Sequence, residues 1–444
     1  MILGSVFLAT TGAEALYSDI GHVGRGNIYA SWPFVKACLI LNYLGQGAWI
    51  LTNTASGTLA AIPDMNPFFQ MLPEALRAPA VALGALAAII ASQALITGSY
   101  TLVSEAIRLD LMPHLEVRYP SDTKGQIYIG AVNTVLYLGC AAVVLYFRTS
   151  ARMEAAYGLA ITVTMLMTTL LLAVYLWNIR KKQALAVGIA LVFGAIEAVF
   201  FLSSLSKFAL GGYVAVLMAL VLFLIMVVWR RGTQIKQEYA TRLPVGDYLP
   251  NLDTLHKDTS LPPLADNLVF LDKAGDMDTI DRDILYSILD KDPKRAAAYW
   301  FISMNVTDEP DTRRYSVETY GTDYIFRVRL DLGFKCHQRV NVYLRQIVRD
   351  PIESGELPPQ ERKYSIYGKS DVGSFKFVFL HKAVPSKSEL SFLDELVLNT
   401  KYAIRRVAGS KVRWYGLDTS SLVVETVPLI VGGKTPRSSR LERV

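Results

Sequence analysis

A glutamate stands in the middle of an otherwise apolar run. Residues 4–25 read GSVFLATTGAEALYSDIGHVGR, and Thr10, Thr11, Gly12 and Glu14 interrupt what would otherwise be a uniformly apolar helix. A carboxylate is expensive in hydrocarbon, so Glu14 has to face the protein interior or a wet cavity. Gly12 lets the backbone leave helical geometry, which releases carbonyls that, with the Thr11 hydroxyl, can replace part of a cation's hydration shell. Secondary transporters hold small cations at such broken helices near the bilayer midplane. The spacing leaves a second reading open, in which Gly and Thr form a packing face and Glu14 bonds to a neighbouring helix.

Other polar groups lie in apolar runs. Asn42 and Gln46 are four apart, hence on one helical face, flanked by Tyr43, Gly45 and Gly47. They read as an interhelical hydrogen-bonding pair with close packing at the glycines, or as ion-path groups. Ser92 and Gln93, followed by Thr97, Gly98 and Ser99, could supply oxygens to an ion path or form a small-residue seam. Glu197 is costly in a span unless paired or hydrated, and reads as a structural pair or a subunit contact. Asp19 and His22, at the exit of the first run, read as a helix-end turn or as a proton relay. Lys36 can snorkel to the headgroups.

Several chemistries have no support. The five histidines lack metal-ligand spacing, and Cys38, Cys140 and Cys336 are far apart. Gly24-Arg25-Gly26 follows no strand and is no phosphate loop. No Ser/His/Asp or Cys/His arrangement is visible, so neither an enzyme nor a cofactor is expected.

The elements that must position these residues are membrane spans. The chain has 444 residues, 52% of them hydrophobic, and only 23 of its 84 charged residues fall in residues 1–230. Its net charge of +6 does not point to nucleic acid, because in that part the bases sit mainly in short loops. Windows of about 20 apolar residues, the length needed to cross hydrocarbon, predict about seven spans. They run near Ile2 to Ile20, Trp32 to Thr52, Ala80 to Ser104, Ile127 to Phe147, Ala155 to Trp177, Ala184 to Leu205 and Tyr213 to Trp229. Alternate loops carry Arg25; Arg108, Arg118 and Lys124; Arg180, Lys181 and Lys182; and Arg230 with Arg231, against only Arg77, Arg148, Arg152 and Lys207 on the other side. The richer set belongs in the cytoplasm. Met1 then starts outside without a basic flank or signal peptide, which predicts that helices are missing from the N-terminus.

The expected organisation is a transmembrane domain over 1–232, a linker over 233–266 and a cytoplasmic α/β or α+β domain over 267–444. Strands are predicted at Leu268 to Leu271, Ala298 to Met304, Tyr324 to Leu332, Tyr364 to Tyr367 and Phe375 to Leu380, and helices at Asp278 to Leu289, Gln338 to Val348 and Ser388 to Val407. Such a domain could serve dimerisation, membrane-side stability, or regulation by a small cytoplasmic ligand.

The stretch TGAEALYSDIGHVGR closely resembles the signature of the KUP/HAK/KT potassium uptake permeases. Further stretches agree in order: NYLGQGA (Asn42 to Ala48), NPFF (Asn66 to Phe69), ASQALITGSYTL (Ala91 to Leu102), GQIYI (Gly125 to Ile129), AAYGLAITVTML (Ala155 to Leu166), then Glu197 with Phe200, Phe201 and Lys207, and GGY before the last span. The resemblance implies a polytopic α-helical plasma-membrane protein carrying the second half of an amino-acid-permease-like inverted-repeat fold, beginning at the sixth helix. It implies uptake of potassium coupled to protons, with Glu14 as ion-binding or proton-coupling carboxylate and Thr11 as an oxygen donor beside Gly12. A homodimer is compatible with it. Alternatives are an amino-acid permease, or a non-transporting membrane-anchored sensor or scaffold.

Overall fold

The computed structural model describes residues 25–55, 66–120, 126–238, 240–272, 277–336, 339–360, 371–383, 391–408, 415–417 and 421–428. The first expected span lies outside them. The chain divides into two compact units, Met1–Glu105 with Ile127–Phe223, and Ala106–Gln126 with Leu224–Val444.

Among the described residues, six helices are long and apolar enough to cross a membrane. They are α1 (Arg25–Ala55), α2 (Glu74–Arg108), α3 (Gly130–Phe147), α4 (Ser150–Asn178), α5 (Gln183–Leu205) and α6 (Gly212–Glu238). Each contains or closely overlaps one of the expected apolar windows. Their surfaces present Leu171, Leu191, Val192 and Leu217 outward, as helices solvated by lipid do.

The connections follow from local backbone chemistry. α4 ends where Lys181 takes a left-handed conformation, and the Ile179 and Lys182 amides close on Tyr175 O and Leu176 O, both at 2.9 Å. That satisfies carbonyls at the helix end and returns the chain as α5. α4 and α5 pack as a hairpin that buries Leu159, Thr162, Ala186 and Glu197. Before α6, a Cβ on Gly211 would lie 2.6 Å from Arg152 O, so this turn requires glycine.

The second unit is built on a six-stranded sheet of order β5-β6-β4-β2-β7-β8. The strands are β2 (Ala265–Leu271), β4 (Ala296–Thr307), β5 (Arg313–Glu318), β6 (Ile325–Gly333), β7 (Phe375–Ala383) and β8 (Leu422–Pro428). All neighbours are parallel except the edge pair β5–β6. A parallel sheet is covered on both faces, so its inner strands read as continuous apolar runs. Tyr299, Trp300, Phe301 and Ile302 are accordingly all buried. Val269, Trp300, Ile302, Phe326 and Val328 share one layer with Val340, Leu344 and Ile347 of helix α9 (Val340–Ser354). Leu268, Phe270, Tyr299, Phe301 and Ile325 share the other with α7 (Leu249–Lys257) and with Ile284 and Leu285 of the short α8 (Arg282–Leu285).

Two expectations need correction here. Residues 240–264, expected as part of a linker, are folded into this unit. β1 (Arg242–Pro244) pairs antiparallel with β3 (Thr279–Asp281), and α7 buries Leu252 and Leu255, its Pro250 taking a first-turn position that helices tolerate. The helix expected over Asp278 to Leu289 opens instead as β3 and becomes helical only at Arg282, after the Asp281 carboxylate caps the Asp283 amide at 3.2 Å. The strand expected at Tyr364 to Tyr367 lies outside the described residues.

The end of α6 and the loop after α2 also belong to this unit. Tyr119 packs on Phe334 with ring centroids 4.8 Å apart, and Arg108 pairs with Asp308 at 3.6 Å. Loop and tail thus belong to one compact unit. α6 meets α10 (Phe392–Ala408) closely: a Cβ on Gly232 would lie 2.7 Å from Lys401 Cδ. Buried Lys401 donates to Trp229 O at 3.2 Å and to Thr233 Oγ1, its ammonium 4.7 Å from the Trp229 ring centroid. Ile235 and Leu398 are buried together, and Arg231 pairs with Asp394 at 3.2 Å.

Candidate functional site

Thr11, Gly12 and Glu14 lie outside the described residues, as do Asp19 and His22. The other intramembrane polar residues are placed. On α1, Gln46 Nε2 donates to Asn42 Oδ1 at 3.2 Å, so the pair bonds within one helix where an interhelical bond was expected. Gly45 admits Met71 to the same face, where a Cβ would lie 3.4 Å from Met71 Cε.

On α2, Ser92 donates to Ile89 O at 2.7 Å, Thr97 to Gln93 O at 2.9 Å and Ser99 to Leu95 O at 2.9 Å, while the Gln93 side chain is exposed. Each hydroxyl spends its proton on its own helix and turns its oxygen lone pairs outward, which suits cation coordination or packing equally. No hydrogen bond among the described residues joins these groups to Asn42 or Gln46.

Two cross-helix links are firmer. Tyr100, buried on α2, donates to Asn133 Oδ1 of α3 at 2.9 Å and stacks edge-on with Tyr128. Sequence reasoning has no signal for that pair. Glu197, only 8% exposed, accepts from Thr169 Oγ1 at 2.7 Å, while its Oε2 has no hydrogen-bond partner among the described residues.

The tail carries its own charged cluster. Asp272, directly after the carboxyl end of β2, accepts from Arg242 Nη2 at 3.1 Å and from Arg327 Nη2 at 3.0 Å. Arg327 is 1% exposed, and its Nε and Nη1 find no hydrogen-bond partner among the described residues. Nearby, Lys382 on β7 bonds Asp281 at 3.1 Å and also Asp283. Burial works against the Lys382 ammonium, but the hydrogen bonds and charges of Asp283 and Asp281 outweigh it and hold its pKa above the ordinary lysine value. The cluster lies where the parallel sheet changes direction, β2 having β4 on one side and the later β7 on the other. Open α/β sheets bind ligands at the carboxyl ends of strands flanking such a switch.

Residues 1–234 match a family described as the K+ potassium transporter integral membrane domain, and residues 265–429 match the K+ potassium transporter C-terminal domain. The chain belongs to this potassium transporter family. A relative from Enterococcus faecalis, named "Probable potassium transport system protein Kup", is 52% identical over 97% of this chain and 64% of its own length. One of the same name from Lacticaseibacillus casei is 50% identical, with the same two coverages. A relative from Bifidobacterium longum, named "Probable potassium transport system protein Kup 1", is 50% identical over the whole of this chain and 74% of its own length. The chain thus spans less than two thirds of the length of the first two relatives. The family is one of transporters, and the chain is a multi-pass membrane protein with a tail carrying an α/β sheet.

Proposed function

We propose that the chain moves potassium inward across the plasma membrane as part of a potassium uptake permease. The observation that carries this reading is the match of residues 1–234 to the integral membrane domain of potassium transporters, together with relatives named for potassium transport. Proton coupling is the finer part of the proposal. Glu14 is a carboxylate in the middle of the first expected span, and beside Gly12 and Thr11 it can exchange a proton for a cation's charge. Potassium and protons are cargo on this reading. No cofactor and no enzymatic reaction belong to it, and the assembly is a homodimer in the bilayer.

The test is uptake in cells lacking their own potassium transporters, for this chain alone and for a chimera that adds the part of the E. faecalis relative this chain does not match. Transport by either protein is expected to fall at least tenfold with Glu14→Gln. Undiminished uptake in that variant sinks the assignment of Glu14. Potassium-independent amino-acid uptake supports the amino-acid permease, and failure of both the chain and the chimera supports the membrane-anchored scaffold.

Arg327 favours a second role for the tail, the recognition of a small anionic cytoplasmic ligand. A buried guanidinium with two N–H groups unpartnered among the described residues is the donor set that such a ligand uses. Calorimetric titration of the intact protein with inorganic phosphate, with Arg327→Met as control, tests it. Heat that is identical in both proteins rules it out.

A further inference from the structure

The geometry points to α10 as an in-plane anchor: its first two turns lie in the headgroup layer of the cytoplasmic leaflet, with Phe392, Leu393 and Leu396 dipped towards the acyl boundary. These three side chains are 77%, 67% and 53% exposed, although the same helix buries Leu398 and Lys401. At 100° per residue they form one stripe opposite the buried face. Farther along, that stripe carries Thr400, Ala403 and Val407, with Asn399 and Arg406 at its edge. Among the described residues, the large exposed apolar side chains of this helix therefore lie at one end.

That end is the one held next to the membrane. The apolar run of α6 closes at Trp229 and is followed by Arg230 and Arg231, the aromatic and basic residues that mark a helix leaving hydrocarbon. Arg231 holds Asp394 at 3.2 Å, a Cβ on Gly232 would lie 3.5 Å from Val397 Cγ1, and farther along the Lys236 ammonium lies 4.2 Å from the Tyr402 ring centroid. One turn of α6, residues 229–232, thus meets α10 over two turns, residues 394–401, so α10 crosses α6 at its membrane exit. Arg231 is two residue steps past Trp229, about 3 Å at 1.5 Å per residue, and the headgroup layer on each side is about 5–7 Å thick. The stripe continues the lipid-facing surface of α6, where Leu224 and Val227 are exposed.

Charge fits the same placement. The first turn carries two acids, Asp394 paired with Arg231 and the exposed Glu395, against which Arg230, Lys236, Arg405 and Arg406 leave a positive balance. An amphipathic helix with aromatic and leucine side chains on one face, and basic residues along it, is what lies flat in an interface. The inference needs only that α6 spans the bilayer, and it stands apart from ion coupling.

The test places a photoreactive side chain at three positions of the whole chain, Phe392→p-benzoylphenylalanine, Leu396→p-benzoylphenylalanine and Arg406→p-benzoylphenylalanine. Each protein is reconstituted into vesicles of phosphatidylethanolamine and phosphatidylglycerol, irradiated, and weighed intact. Positions 392 and 396 are expected to gain the mass of one phospholipid, with at least tenfold less adduct at 406. Having two probes in the stripe guards against one substitution disturbing the helix. A product of twice the chain mass assigns the stripe to a second copy and overturns the anchor. Cross-links within the chain, or adducts no more frequent at 392 and 396 than at 406, overturn it as well.

Discussion

Along α2 and α4, Thr97, Ser99, Thr101, Thr164 and Thr168 each donate to a carbonyl of their own helix, whereas in the tail Asn267 gathers Trp300 Nε1 at 2.9 Å and the Gln360 amide at 2.6 and 3.1 Å from two separate segments. Back-bonding itself belongs to helices, and Thr254 and Thr400 of the tail show it too, at 2.9 and 2.8 Å; what solvent changes is how a unit treats the polar groups it buries. In hydrocarbon no water stands ready to satisfy a hydroxyl, so the nearest acceptor is its own backbone, and few polar groups are left to bind helix to helix. In the tail the unfolded chain is hydrated, so every buried polar group has to recover across the fold what water supplied. Lys294 and Glu425 make the same point, paired at 3.1 Å with both side chains buried and tying edge strand β8 to the turn before β4.

The comparison predicts unequal penalties for deleting one partner. The largest is expected from Asp272→Ala, which leaves the Arg327 guanidinium buried without its counter-charge and should cost the tail about 3–5 kcal/mol, measured by denaturant unfolding of the intact protein in detergent. Gly232→Leu comes next. Its side chain must displace Lys401, an overpacking expected to cost about 1–3 kcal/mol, and amide exchange across 392–408 should accelerate about tenfold or more.

In the membrane unit, Thr169→Val removes the bond to Glu197 and should cost only about 0.6 kcal/mol, in line with other interhelical hydrogen bonds in lipid. A loss above about 3 kcal/mol in that variant, well beyond the usual range and measured by unfolding in mixed micelles, would erase the contrast. The smallest effect concerns His381. Burial, with the nearby charges of Arg405 and Lys236, depresses its pKa in the folded protein. The unfolded chain then binds more protons between the two values. Stability is complete above the ordinary histidine value near 6.5 and declines as pH falls through and below it. His381→Gln should flatten that decline in unfolding curves at about pH 7 and about pH 5.5, on either side of that value.

The two regions also differ in how much their sequence discloses. A span shows itself by composition, and each apolar window from Trp32 onward lies in one helix or closely overlaps it. What composition misses is where a helix stops: α6 continues nine residues beyond Trp229, because helical geometry outlasts the apolar run that revealed it. In the tail, the buried strands β2, β4, β6 and β7 are readable as apolar runs. Edge strand β5, RRYSVE, is not, since only one of its faces is covered, and β8 hides behind Glu425, whose charge looks like a surface residue until Lys294 is placed beside it. Asn42 and Gln46 can be paired from their spacing of four, but Asp272 and Arg327 stand 55 positions apart. No local pattern announces a contact that only the parallel crossover makes.

α6 passes from hydrocarbon into the cytoplasmic unit without a break, and Lys401 fastens α10 to it just past Trp229. A helix without a joint is a lever. Nine residues beyond Trp229 are about 13 Å of rigid rod at 1.5 Å per residue, so a change of about 10° in the tilt of the span, well within the range that membrane helices explore, swings Glu238 through about 2 Å. At Gly232, three residues past Trp229, the same change moves the helix by less than about 1 Å. The contacts of α10 at Trp229, Arg231 and Gly232 sit near the pivot of that lever, where a tilt strains them least.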